Sequence, residues 1–310
     1  MEIESIEEEE HKSILLKILV ILFALFAIFL LVLYSIPSFS FRELTVLNSQ
    51  EDFVNLNSST TPQFYLNMRY PNSNISYRVN DCPVKKKEDA RDAFDILSNL
   101  TDLNFYSVLE NEEITVSCDD TLKTEGGLFI AGEGGPTNIT VSGNFNVIRA
   151  GRILLIKDSE CPKPNVAIHE ILHALGFTHS NNSWNIMYNV SKCSQEIGEE
   201  TIKKINELYS IESLPNLEFE DVDGNIDGRT LTLTFGVRNN GLARAEKFVV
   251  EIYNAEDLVE TINSDSLGIG EGVKISLVKT IYSFSLEDIR LEIVSNQNEL
   301  SKEDNSLILG

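Results

Sequence analysis

Three of the four histidines in this 310-residue chain fall within eleven residues: His169-Glu170-Ile171-Leu172-His173-Ala174-Leu175-Gly176-Phe177-Thr178-His179. On a helix, His169 and His173 stand four apart, project from one face and can meet a single ion. Glu170 follows the first of them directly, where its carboxylate can reach a water at that ion without ligating it. Gly176 accepts left-handed backbone at no Cβ penalty, so it can end the helix, turn the chain and return His179 as a third ligand. Three neutral imidazole nitrogens with a position left for water form the open tetrahedral set of catalytic zinc, whereas structural zinc is closed by a fourth protein ligand.

Around this stretch the pattern mixes strands and helices. Asn74 to Val79 alternates like a strand, and Lys85 to Leu100 places Ala90, Ala93, Phe94, Ile96, Leu97 and Leu100 at helical spacing. Glu113 to Cys118, Asn138 to Ser142 and Ile153 to Ile156 are further strand candidates, and helices are expected over Asn165 to Leu175 and about Gln195 to Tyr209. The layout over 63–214 is α+β, strands first and the key helix late. After Pro215 the texture changes. Leu231, Leu233, Phe235 and Val237 alternate with threonines up to the turn Asn239-Asn240-Gly241. Similar short strands recur at Phe248 to Tyr253, Val273 to Ile281, Ile289 to Val294 and Ser306 to Leu309. An all-β Ig-like sandwich is expected over 215–310. Val237 to Gly241, Phe248 to Tyr253 and Glu303 to Ser306 are similar to the CARDB modules related to bacterial and archaeal cell adhesion. Asp223-Gly224-Asn225-Ile226-Asp227-Gly228 opens like a calcium loop, but Thr234 stands where its glutamate belongs, which favours an inter-strand turn.

Eight residues beyond His179 the chain reads Met187-Tyr188. The long histidine motif followed by this methionine turn resembles the metzincin zinc metalloproteases, and Ser180 with Met187-Tyr188 at this distance is most similar to the matrixins. The resemblance implies a zincin-like catalytic domain, a mixed twisted sheet with three helices, that hydrolyses peptide bonds. It also implies one zinc ion on His169, His173 and His179, an apolar floor at Met187, and a pocket for the residue after the cleaved bond shaped by Tyr188, Asn189 and Val190. A zinc-activated water, with Glu170 as general base, would attack the peptide carbonyl. An extended substrate would add a strand to a sheet edge, for which Gly127 to Ser142 is the candidate. The family's latency cysteine has no counterpart between Met1 and Asp81, and with only His11 left a second histidine-built zinc site is ruled out. Asp119 and Asp120 leave calcium open. Trp184 reads as a packing residue.

Ile18 to Ile36 is uncharged and apolar. As a helix its nineteen residues rise about 28 Å, near the hydrocarbon thickness of a bilayer and beyond the apolar core of a signal peptide. Lys12 and Lys17 precede it and Arg42 follows, which predicts a cytoplasmic tail over 1–17, an anchor over 18–36 and an extracytoplasmic remainder. The Ser/Thr/Asn-rich segment 37–62 reads as a stalk. Cys82, Cys118, Cys161 and Cys193 all lie beyond the anchor, where disulfides survive. Of the three pairings they allow, Cys82–Cys118 with Cys161–Cys193 is favoured because each pair brackets one half of the same region. Sequons at Asn57, Asn74, Asn99, Asn138, Asn181 and Asn189 fit that topology. The formal charge of −23 argues against nucleic acid as a partner, and none is expected. The expected partners are a protein or peptide substrate, the membrane, and a surface ligand of the sandwich. The competing reading is a surface adhesion protein in which the metzincin-like region is catalytically silent.

Overall fold

The alternating apolar residues and the amphipathic helices sort the chain into two cores. The computed structural model describes Phe26, residues 62–121, 130–156, 161–281 and 285–310, together with the backbone of 43–47, 124–125 and 128–129. In chain order the elements are β1 (Glu43–Leu47), β2 (Met68–Arg69), β3 (Asn74–Val79), α1 (Val84–Leu100), β4 (Asn104–Ser107), β5 (Ile114–Cys118), β6 (Thr124–Glu125), β7 (Leu128–Phe129), β8 (Gly132–Ser142), β9 (Phe145–Leu155), α2 (Asn165–Ala174) and α3 (Glu199–Tyr209). Then follow β10 (Leu217–Asp227), β11 (Thr230–Asn239), β12 (Phe248–Asn254), β13 (Asp257–Ser264), β14 (Gly272–Thr280), β15 (Ile289–Val294) and β16 (Ser306–Ile308).

The first core belongs to a six-stranded mixed sheet ordered β2-β9-β5-β3-β4, with β8 added antiparallel to β9 and the other pairs parallel. Ile114 and Val116 of β5 share one face of the sheet and are fully enclosed, while Thr115 and Ser117 on the other face are half-buried. Ala90, Ala93, Phe94 and Leu97 of α1 and Ile168, Ile171 and Leu172 of α2 pack in the same cluster. Among the described residues β8 pairs with β9 alone, so its other edge is left for a further strand. At the far end of this unit Arg69 is buried, with no carboxylate partner among the described residues. Its guanidinium instead donates to the carbonyls of Tyr70, Leu208, Ile211 and Pro71, and so caps the end of α3.

The second core lies between the antiparallel sheets β1-β14-β11-β10 and β13-β12-β15-β16. Leu231, Leu233, Phe235 and Val237 of β11 face Val250, Ile252, Leu291 and Ile293 of the opposite sheet in one cluster, as their alternation requires. This is the expected α+β unit followed by a β-sandwich. The hairpin turn of β8–β9 touches the sandwich: the buried Ser142 hydroxyl lies 2.6 Å from the Gly241 carbonyl and 3.2 Å from that of Asn239.

Some elements differ from expectation. Residues 43–47, read as stalk, pair with β14 from Glu43↔Ser276 to Leu47↔Gly272. Asp223 to Asp227, read as a turn, continues β10 opposite Thr234 to Thr230, and the turn itself falls at Gly228. The third helix begins at Glu199 rather than near Gln195. Gln195 is held in the preceding loop, donating to the carbonyls of Ser183 and Val190 and accepting from the Lys192 amide. The anchor at 18–36, apart from Phe26, and the tail at 1–17 lie outside the described residues, among which no helix is long and apolar enough to cross a membrane.

Candidate metal centre

The helix that carries the first two histidines is fixed at both ends. Pro164 precedes it with φ −79°, already suited to helix entry. The Asn165 side-chain amide reaches the Lys192 carbonyl at 2.8 Å. Beside it Cys161 is bonded to Cys193, and Cys82 to Cys118 closes the other pair. At the far end the Gly176 amide donates to His173 and the Phe177 amide to Leu172. That pair of bonds is a Schellman motif, and it needs a left-handed residue at Gly176, whose φ is +94°. A side chain there would also collide with Met68, since a Cβ would lie 2.8 Å from that of the methionine.

This turn brings His179 back to the helix. The Nε2 atoms of His169 and His173 are 3.0 Å apart and those of His173 and His179 3.2 Å apart. Tetrahedral zinc with bonds of about 2.05 Å sets its ligand nitrogens roughly 3.3 Å from one another, so the three rings fit that ion. The tautomers are fixed by backbone. His169 Nδ1 lies 2.6 Å from the Ile186 carbonyl and His173 Nδ1 2.7 Å from that of Phe177. A carbonyl only accepts, so Nδ1 carries the proton and each Nε2 presents a lone pair. Lone pairs facing lone pairs in a buried site are repulsive until a cation joins them. Burial holds all three imidazoles below the ordinary histidine value, His173 down to about 4, with the neighbouring His169 adding to its shift. At neutral pH they are uncharged and ready to ligate.

Glu170 is buried between its helix and β8. Gly132 and Gly134 allow that approach: a Cβ on Gly132 would lie 2.7 Å from Glu170 Oε1, and one on Gly134 2.3 Å from the Glu170 carbonyl oxygen. Burial first, and the Glu133 carboxylate second, push the Glu170 carboxyl up to about 8 in the metal-free protein. A dicationic ion beside it acts in the opposite direction.

Met187 is buried in the core cluster that contains the helix. Beyond it Tyr188 and Val190 are half-buried and Asn189 is exposed. Trp184 is 70% exposed and is not a packing residue. Asp120 is engaged by Lys86 Nζ at 2.7 Å, and Asp119 accepts from the Thr121 amide, so both aspartates have local roles. Asn185 was not among the expected site residues. Its Oδ1 accepts from the Met187 amide at 2.8 Å and its Nδ2 donates to Glu200 at 3.2 Å, a polar knot beneath the methionine turn. An Asn two residues ahead of the amide it binds is the available signal, shared by many turns.

An open histidine triad beneath a mixed sheet, with a glutamate on the same helix, defines a domain of the zinc metalloprotease type. The matrixin family model matches residues 69–210, a little under half the chain, and over that stretch the chain is similar to the matrixins. Solved structures of low similarity accompany it. Myroilysin is 11% identical with a TM-score of 0.31, covering 46% of this chain and 82% of that one. The zinc-protease hatching enzyme of Oryzias latipes is 16% identical with a TM-score of 0.29, covering 45% and 90%. A CARDB domain from Pyrococcus furiosus, solved with di-metal ions, is 19% identical with a TM-score of 0.27, covering 31% and 85%. No curated protein sequence matches the chain.

Proposed function

We propose that this chain is a membrane-anchored extracytoplasmic zinc endopeptidase, with His169, His173 and His179 as ligands. The convergence of the three Nε2 atoms beside Glu170 carries the reading. Zinc bound there would supply Lewis acidity towards the scissile carbonyl and towards water. Glu170 takes the proton of the attacking water and delivers it to the leaving amine, and its enclosure against β8 keeps bulk solvent from competing for that proton. The extended substrate lies along the outer edge of β8, where the absence of side chains at Gly132 and Gly134 brings the strand close over Glu170. Met187 provides the apolar floor below the histidines, and Tyr188, Asn189 and Val190 shape the pocket beyond the cleaved bond. The uncharged stretch at 18–36 is the anchor, and two disulfides fit an oxidising compartment outside the membrane. The sandwich presents a surface to a partner or to substrate. The test is Glu170→Gln in the full chain, assayed on casein and on unstructured peptides with metal content measured in parallel. The expected outcome is loss of cleavage with zinc retained. Equal cleavage by both proteins would overturn the assignment.

A further inference from the structure

The contacts beneath the methionine turn form one connected path. The Ile186–Met187 peptide is a single rigid plane, so fixing one of its ends fixes the other. At one end the Met187 N–H donates to Asn185 Oδ1 at 2.8 Å, and at the other the Ile186 carbonyl accepts from His169 Nδ1 at 2.6 Å. Asn185 is itself held, because its Nδ2 donates to Glu200 Oε1 at 3.2 Å in the first turn of α3. It is 5% exposed, so an amide left unpaired there would be costly. Gly198 leaves the space for that bond: a Cβ on it would lie 2.4 Å from Glu200 Oε1 and 2.6 Å from Asn185 Nδ2.

We infer that Asn185 is a positioning residue for the metal centre: through the Ile186–Met187 peptide it aims the His169 ring, and Glu200 holds it in place from the third helix. This rests on the reading of the three histidines as a zinc site. Asn185 touches neither ion nor substrate. Its effect passes through the orientation of one ligand, and α3 becomes part of the support of the site.

The inference is tested by zinc affinity of the full chain, measured by competition with a chromophoric chelator, alongside unfolding of the metal-free protein and kcat and KM at saturating zinc. Asn185→Ala removes both bonds and is expected to weaken zinc binding about tenfold, the lower end of what partners behind the ligands cost. Asn185→Asp keeps the acceptor for Met187 but sets a carboxylate against Glu200. Adding Glu200→Gln supplies a donor again, so Asn185→Asp/Glu200→Gln is expected to return close to wild-type affinity. A merely structural role would lower metal-free stability without this pattern of loss and rescue. Unchanged zinc affinity in Asn185→Ala, or a double variant no better than Asn185→Ala, would overturn the inference. If Asn185→Ala does not fold, Gly198→Ala carries the test, since its methyl group drives Asn185 and Glu200 apart and is expected to weaken zinc to a similar extent. Wild-type protein that takes up no zinc would instead defeat the underlying assignment of the site.

Discussion

Two buried polar sites, one in each half of the molecule, are completed in different ways. Among the described residues the sandwich buries asparagines, and Asn239 shows how it accommodates them. Its Oδ1 accepts from the amides of Asn216 and Gly241, and its Nδ2 reaches the carbonyls of Ala243, Leu267 and Gly268. Every polar atom of that side chain is used internally, to tie loops together. The α+β half buries His169, Glu170 and His173 in a group whose ring nitrogens face one another and whose carboxyl has no cationic partner among the described residues. Desolvated titratable groups cost free energy, and they persist where an ion or a substrate completes them. Asn239 is therefore satisfied by its own chain, whereas the histidine–glutamate group is arranged to be finished by a ligand. Both disulfides lie in the α+β half.

The largest difference between the two sites is expected at Glu170. Glu170→Gln is expected to lower peptide hydrolysis by about 10²- to 10⁴-fold, the usual contribution of a positioned acid–base group, with little change in unfolding. Asn239→Ala should do the reverse, lowering stability by about 3 kcal/mol through several orphaned buried groups while each folded molecule cleaves normally. A large activity loss in the sandwich variant would merge the two halves into one functional unit. Next in size is the disulfide behind the methionine turn. Replacing Cys161 and Cys193 by serine is expected to cost about 3 kcal/mol, read by urea denaturation, since it reopens a loop of 32 residues. Glycines give a sharper and smaller contrast. Gly134→Ala forces β8 off the Glu170 backbone and should impair hydrolysis. Gly228→Ala meets open space at φ +60° and should cost about 1 kcal/mol with activity intact. The smallest effect is expected from mild acid. Because burial depresses the three imidazoles, protons compete for them only below the ordinary histidine value of 6.5, and zinc should weaken chiefly as the pH falls towards about 4, where His173 titrates. Metal release with a midpoint at or above 6.5 would show that the rings are not desolvated as described.

Much of the site was legible because its spacing has a geometric cause. His169 and His173 must share a helix face, and Gly176 must turn the chain, so three ligands can be read without coordinates. Strands with clean alternation, such as Asn74–Val79 and Thr230–Asn239, were equally plain. Leu217–Asp227 was not, because its acidic outward residues resemble a loop and a bulge between Glu220 and Asp223 breaks its period. Gly132–Pro136 carries almost no strand propensity, yet it is held by its register with Gly151–Leu155 of β9. Glu43–Leu47 is defined by pairing with a strand more than two hundred residues away. Asn185 and Glu200 are fifteen residues apart and meet through a turn, so no local period marks them. What the sequence hides is the support of the site, since a contact between a side chain and distant backbone leaves no trace in spacing.

The proposed role of the three imidazoles is to hold one catalytic ion. It is tested most directly by metal content of the purified full chain, set against His173→Ala prepared alongside it. A single zinc is expected on each wild-type chain and none on the variant, with both folded. A wild-type chain devoid of zinc, or a variant that retains it, would contradict it.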